Sequence, residues 1–127
     1  MRLIGKDKNV STTHGRVELM IGGVWGALCD NGIDRSPSKT KKVGDVICRQ
    51  LGHPKGGVTT DMLNVLPLDW KVYDEWNAMK TPVWLYHIEC KGDEQKIEKC
   101  YYEFQTDSAS EHHCKDAMET IWVDCDA

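Results

Sequence analysis

The sequence predicts a small α+β domain stapled by disulfides. Three observations lead there: six widely spaced cysteines, one long segment of helical periodicity, and short apolar or alternating segments on either side of it. The cysteines are Cys29, Cys48, Cys90, Cys100, Cys114 and Cys125, even in number and never closer than ten positions apart. Zinc ribbons and fingers gather ligands in C-x₂₋₄-C knuckles, and redox sites use C-x-x-C; neither spacing occurs. Spaced pairs in a small domain are what a disulfide framework needs, and such a framework persists in an oxidising, extracellular setting. A reduced intracellular protein with six buried thiols is the competing reading of the same count.

In chain order, residues 16–21 alternate polar and apolar as a half-buried strand does, and Gly22-Gly23 supplies the positive φ angles of a tight hairpin. Residues 24–29 form the return strand. A helix is expected over 39–51, capped by Ser38 or Thr40, with Val43, Val46, Ile47 and Leu51 on one face and Gly52 and Pro54 as its stop. Short apolar strands are expected over 83–90 and 121–125. A second, shorter helix is expected over 93–99, with Ile97 facing inward and its acids at the favourable N-terminal end. Residues 53–82 are long and carry Trp70, Tyr73 and Trp76, too apolar for a linker. They read as an ordered surface excursion, partly helical over 68–79, with at least one of Trp70, Trp76 and Trp84 buried.

At 127 residues the chain is a single domain, 1–127, with room for one modest core. No apolar run of about 18 residues is present, so this segment is not expected to enter a membrane. Met1-Arg2-Leu3-Ile4 leads straight into Gly5-Lys6-Asp7-Lys8; a secretory leader is therefore expected upstream, with Met1 as a cloning start. The net charge of −4 argues against a nucleic-acid binder, which would carry a basic surplus. Asn9-Val10-Ser11 is a glycosylation sequon in an expected strand-to-strand connection.

Several blocks carry a resemblance. Gly15-Arg16-Val17-Glu18 runs into Val24-Trp25-Gly26-Ala27-Leu28-Cys29-Asp30-Asn31, followed by Val46-Ile47-Cys48-Arg49-Gln50-Leu51-Gly52 and Val83-Trp84-Leu85. Ile88-Glu89-Cys90-Lys91-Gly92-Asp93-Glu94, His112-His113-Cys114 and Trp122-Val123-Asp124-Cys125 complete the series. In this order and at these separations the chain resembles the scavenger receptor cysteine-rich (SRCR) domain, from Arg2-Leu3-Ile4-Gly5 to Cys125. Eight-cysteine members carry further cysteines where this chain has His14, or a neighbour of it, and His53, so it resembles the six-cysteine subgroup. The resemblance implies a curved antiparallel sheet cradling one main helix, and the pairing Cys29–Cys114, Cys48–Cys125 and Cys90–Cys100. Spacing alone leaves all fifteen pairings open.

The resemblance also implies a calcium site, whose ligand positions match Asn31, Asp34 and Glu119. Oxygen ligands from two loops suit a hard cation, but Asn31 is an amide where the family has a carboxylate, so a weak site is expected. The last loop is one residue longer than usual, which makes Asp116 a substitute or helper for Glu119. A second family site would use Asp30 together with the positions of Tyr86 or His87 and of His113. Imidazoles there argue against a second calcium and would suit a softer ion such as zinc, or are ordinary surface histidines. Arg35, Lys39, Lys41 and Lys42 form a basic run beside the cation loop, suited to polyanionic ligands or simply solvated.

No enzyme is expected: every cysteine is assigned, and G-x-S-x-G, H-E-x-x-H and phosphate-binding glycine loops are absent. A zinc hydrolase built on His87, His112 and His113 has no support in their spacing. The function expected is an extracellular module that captures polyanionic or protein ligands. The alternative is an architectural module that contacts neighbouring domains of a larger chain. Non-reducing peptide mapping should find all six cysteines oxidised in the pairing implied; a free thiol at Cys90 or Cys100 contradicts it.

Overall fold

The computed structural model describes residues 1–66, 69–79, 81–104, 114 and 117–126. Strands β1 (Arg2–Ile4), β2 (Val10–Ser11), β3 (His14–Ile21) and β4 (Val24–Leu28) come first, followed by helix α1 (Pro37–Gln50). Then come β5 (Val58–Thr60), α2 (Met62–Val65), α3 (Trp70–Ala78), β6 (Val83–Glu89), β7 (Tyr101–Phe104) and β8 (Trp122–Asp124). The described strands form one sheet in the order β2-β1-β3-β4-β6-β7, with β8 joining β3 to β5.

Strand β3 organises this sheet. One side pairs with β1 through Leu3↔Val17, and the other is shared by β4, through Leu19↔Gly26, and β8, through Gly15↔Val123. The β3–β4 hairpin closes at Ile21↔Val24 over Gly22 and Gly23, whose φ values of 60° and 80° are those of the expected tight turn. All pairs are antiparallel except β4–β6, which run parallel through Ala27↔Val83 and Leu28↔Leu85. That pair departs from an all-antiparallel sheet: between β4 and β6 the chain runs through α1, β5, α2 and α3, a connection long enough to bring β6 beside β4 in the same direction.

Helix α1 begins two residues before the expected start. Ser36, not Ser38 or Thr40, is the cap: its side chain accepts the Lys39 N–H at 3.3 Å, and Pro37 takes the first helical position, where its missing N–H costs nothing. Its apolar face, Val43, Val46, Ile47 and Cys48, packs on the sheet with Leu3, Val17, Leu28, Leu85, Ile121 and Val123. Gly44 permits close contact with β5, since a Cβ there would collide with the Val58 backbone.

The helix expected over 93–99 is only a 3₁₀ turn, Ile97–Lys99. The Glu94 carboxylate accepts the Lys91 and Gly92 N–H groups at 2.9 Å each and folds the segment into a turn. The end of α1 holds it: Arg49 donates to the Gly92 and Glu94 carbonyls, and Gln50 Oε1 accepts the Ile97 N–H at 2.8 Å. Ile97 is buried as expected.

The stretch read as a surface excursion, 53–82, contributes a second core. Residues adjacent along a strand split between the two sheet faces, so Leu3, Val17 and Val123 join α1 while Ile4 and Trp122 meet Met62, Leu66 and Trp76. The Trp76 and Trp122 rings meet edge-on at 4.9 Å, and Trp76 is 1% exposed. Trp84 is half-buried and Trp70 is exposed.

Strand β3 is therefore not half-buried, because α3 covers the face its polar residues occupy. Arg16 and Glu18 are each 2% exposed and paired at 2.7 Å. Arg2 adds a second cation on Glu18 at 2.8 Å, and the Arg16 guanidinium lies 4.8 Å from the centre of the Trp76 ring. Burial pushes the Arg16 guanidinium down from its ordinary value, and Glu18 opposes that shift.

Disulfides join Cys29 to Cys114, Cys48 to Cys125 and Cys90 to Cys100. The first two span 85 and 77 residues. Closing loops of that size restricts the unfolded chain by about 4–5 kcal/mol in the chain-entropy account. Glu18→Ala should lower the unfolding free energy by ~3–5 kcal/mol, because it strands the buried Arg16 charge. Equilibrium denaturation under non-reducing conditions measures this, and a loss within the ~0–1 kcal/mol of an exposed pair contradicts it.

Candidate cation-binding cleft

Two short turns build the candidate site. Past β4, Cys29 bridges Thr120 and the Asp30 N–H donates to the Glu119 carbonyl at 2.9 Å, which lays the 30–34 loop beside the turn Ala117–Glu119. The Cys29–Cys114 disulfide fixes the same pair of loops covalently. Asn31 and Gly32 then adopt left-handed backbone at φ 47° and 84°, a conformation asparagine and glycine tolerate best. The loop closes when Asp30 Oδ1 accepts the Asp34 N–H at 3.2 Å and the chain enters the 3₁₀ turn Ile33–Arg35.

The result is a cleft of about 410 Å³ lined by Asp30, Asn31, Asp34, Arg35, Met118 and Glu119, among others. Asp30 is half-buried, whereas Asp34, Arg35 and Glu119 are exposed. Burial, and then the Asp34 carboxyl beside it, push the Asp30 carboxyl up to about 7. Among the described residues no lysine or arginine forms an ion pair with Asp30 or Asp34. An acidic pair held in this way disfavours a second negative charge, and a hard cation would relieve it.

Two of the expected ligands already have protein partners. Asn31 Oδ1 accepts the His87 N–H at 2.9 Å, tying the loop to β6, and Glu119 Oε2 accepts the Cys114 N–H at 3.1 Å. Sequence reasoning foresaw neither bond, although Asn31-Gly32 is a turn signal that marks the left-handed position. Each oxygen retains a further lone pair, and the donor set, carboxylates with one neutral amide, is all oxygen, the chemistry a hard cation of modest affinity takes, although Asp30, Asp34 and Glu119 are not drawn together to ligand distance. Asp116, the proposed helper, lies outside the described residues.

The softer-ion alternative gains nothing from the geometry. Tyr86 is buried, and His87 is exposed and lies 3.6 Å from Glu103. His112 and His113 lie outside the described residues. Among the described residues the one cluster with metal-ligand geometry is Cys90, Glu94 and Cys100, and both of its sulfurs are joined in a disulfide.

The basic run divides by neighbourhood. Arg35 lines the cleft. Lys39 and Lys42 lie one turn apart on the exposed side of α1, with the Lys42 stem over Gly92. Lys41 is paired with Asp45 at 2.7 Å, which leaves it less available to a ligand.

Residues 7–126 match the family model of the scavenger receptor cysteine-rich domain. The chain belongs to that family. Two curated relatives described as CD5 antigen-like are similar to this SRCR domain. The human protein is 33% identical over 104 residues, covering 82% of the chain and 25% of the relative. The mouse protein is 30% identical over 128 residues, covering 99% and 30%. The chain thus spans a quarter to three tenths of the length of these relatives. Among solved structures, the third SRCR domain of murine neurotrypsin is similar with a TM-score of 0.62 at 26% identity, over 99% of this chain and 94% of that one. The SRCR domain of mouse MARCO in its dimeric form shares the fold, with a TM-score of 0.57 at 20% identity over 87% and 83%. SRCR domains are non-enzymatic, extracellular ligand-binding modules of larger secreted or membrane proteins. No helix among the described residues is long and apolar enough to cross a membrane.

The raised Asp30 carboxyl sets a direction for pH dependence. Its folded value lies above the unfolded one, so the folded state holds the proton more tightly, and stability falls as pH rises from about 4 through about 7. Asp30→Asn keeps an oxygen for the Asp34 N–H and removes the charge. In chelator its melting temperature should match the parent near pH 4 and exceed it near pH 8. Parallel pH profiles for the two proteins contradict this.

Proposed function

We propose that this SRCR domain captures polyanionic ligands, with calcium held weakly in the cleft between the 30–34 loop and Glu119. The observation that carries this reading is the convergence of Asp30, Asn31, Asp34 and Glu119 on one cleft with Arg35 at its side. Asp34 and Glu119 would supply charged oxygens and Asn31 a neutral one, with Asp30 behind them. A bound hard cation offers an open coordination position to a carboxylate, sulfate or phosphate. Arg35, Lys39 and Lys42 add long-range attraction for the rest of an anionic surface.

With only an amide at Asn31, affinity belongs with extracellular modules, at a dissociation constant of ~10⁻⁴–10⁻³ M. A second reading, an architectural module that contacts neighbouring domains, draws on the exposed rings of Trp70, Tyr101 and Phe104. Aromatic side chains in water are favourable anchors for a protein partner.

Calorimetric titration with calcium, alone and with a heparin-like polyanion, separates the readings. Asn31→Asp should tighten calcium binding, and Asp34→Ala or Glu119→Ala should abolish it. Alanine variants that titrate like the parent overturn the cation site. Polyanion binding that survives chelator unchanged assigns capture to the basic residues alone, and absence of polyanion binding favours the architectural module.

A further inference from the structure

Asn9 lies in the turn between β1 and β2, away from the cleft's two loops, and begins the chain's one Asn-x-Ser/Thr sequence, Asn9-Val10-Ser11. The turn is well defined. The Lys8 N–H donates to the Gly5 carbonyl and the Gly5 N–H to the Asn9 carbonyl, both at 2.9 Å, with Lys8 in left-handed backbone at φ 64°. Asp7 Oδ1 accepts the Asn9 N–H at 3.1 Å, and an ion pair between Lys8 and Glu75 at 2.7 Å ties the turn to α3. Asn9 is exposed.

We propose that Asn9 is an N-glycosylation site and that its glycan covers the β2 edge of the sheet. The co-reactant is an oligosaccharide linked to a lipid pyrophosphate, the glycosyl donor of the secretory route that an extracellular domain follows. Asn9 Nδ2 attacks the anomeric carbon, a C–N bond forms, the C–O bond to the pyrophosphate breaks, and Nδ2 gives up one proton. The lipid pyrophosphate departs with the bonding electron pair. The side-chain amide keeps one N–H that can still donate to Asp7 Oδ2, 3.3 Å away, and the backbone bond from Asn9 to Asp7 Oδ1 is untouched by the reaction.

The surroundings have room for the sugar and a reason for it. A shallow depression of about 320 Å³, lined by Lys6, Asp7, Val10, Ser11, Thr12 and His14, lies beside Asn9 and offers polar groups to a first sugar. Strand β2 ends the sheet on this side, and its Val10 is 65% exposed. Exposed edges are what folded proteins protect against pairing with other chains, and a hydrophilic glycan beside β2 does this without a charge.

The test is secretion of the parent, Asn9→Gln, Ser11→Ala and Ser11→Thr from a eukaryotic host that glycosylates a reference protein in parallel. Enzymatic release of N-glycans in ¹⁸O-water should lower the mass of the parent and label position 9 as ¹⁸O-aspartate. Ser11→Thr should keep the glycan, and Asn9→Gln and Ser11→Ala should both lose it; Ser11→Ala also removes the hydroxyl that accepts the Thr13 and His14 N–H groups, so Asn9→Gln is the variant compared with the parent for the effect of the glycan alone. A parent with unmodified Asn9, beside an occupied reference sequon, overturns the site. Hydroxyl-radical labelling of Val10 and His14 should rise on loss of the glycan. Equal labelling of parent and Asn9→Gln overturns the covering of β2.

Discussion

Strand β8 reaches β3 only after the chain has run almost its full length, and two disulfides hold it there. Cys48–Cys125 fastens its end to the last turn of α1, and Cys29–Cys114 fastens the segment before it to the end of β4. Both loops are long enough that the unfolded chain loses much of its freedom when they close. The backbone repeats the same tie, since Val17 donates to the Ile121 carbonyl, Cys125 to Thr13 and Ile121 to Leu28. Everything else in the molecule, including both cores and the cleft, is placed relative to this junction.

With β8 beside β3, the centre of the sheet is too wide to be closed by one helix. Helix α1 covers one face, and Met62, Leu66 and Trp76 of the α2–α3 segment cover the other, so β3 is enclosed. A buried Arg16 is tolerated because Glu18 neutralises it, Arg2 completes the cluster, Thr81 accepts a bond from Nη2 at 2.9 Å, and Trp76 presents its ring. Such a cluster does not add stability in the way an apolar pair would, because desolvating the charges offsets most of their attraction. It does specify which way β3 faces, since a one-residue slip would drive these charges into the α1 core.

The cleft uses the same junction for another end. Two loops with acidic tips are brought side by side by the Cys29–Thr120 bridge and the Cys29–Cys114 bond, and the raised Asp30 carboxyl records its burial there and the Asp34 carboxyl of the same loop. A scaffold cross-linked at the root of both loops can hold like charges close, where an unbraced pair of loops would separate them. Loops of this kind vary freely between relatives while the scaffold beneath them stays fixed. The proposed capture of anionic ligands needs no more of the fold than that.

The sequence by itself determined the α+β class, the oxidised framework, the hairpin at Gly22-Gly23 and the helix that buries Val43, Val46 and Ile47. These depend on local periodicity and on residues with few conformational options, such as paired glycines. The family blocks added which loops should meet at the cleft. Tertiary structure decided the rest. Arg16 and Glu18 alternate with apolar neighbours in a way that means exposure unless another element covers them, and only the docking of α3 shows that it does. Residues 93–96 have helical composition, yet the Glu94 carboxylate folds back onto the Lys91 and Gly92 N–H groups, and Arg49 and Gln50 take the Glu94 carbonyl and the Ile97 N–H that a helix would use. The parallel β4–β6 pair depends on how the long connection through α1, β5, α2 and α3 packs. The bonds from His87 to Asn31 and from Cys114 to Glu119 join residues distant in the chain or set by a single turn. Local sequence carries no record of a contact whose partner is fixed only when the sheet closes.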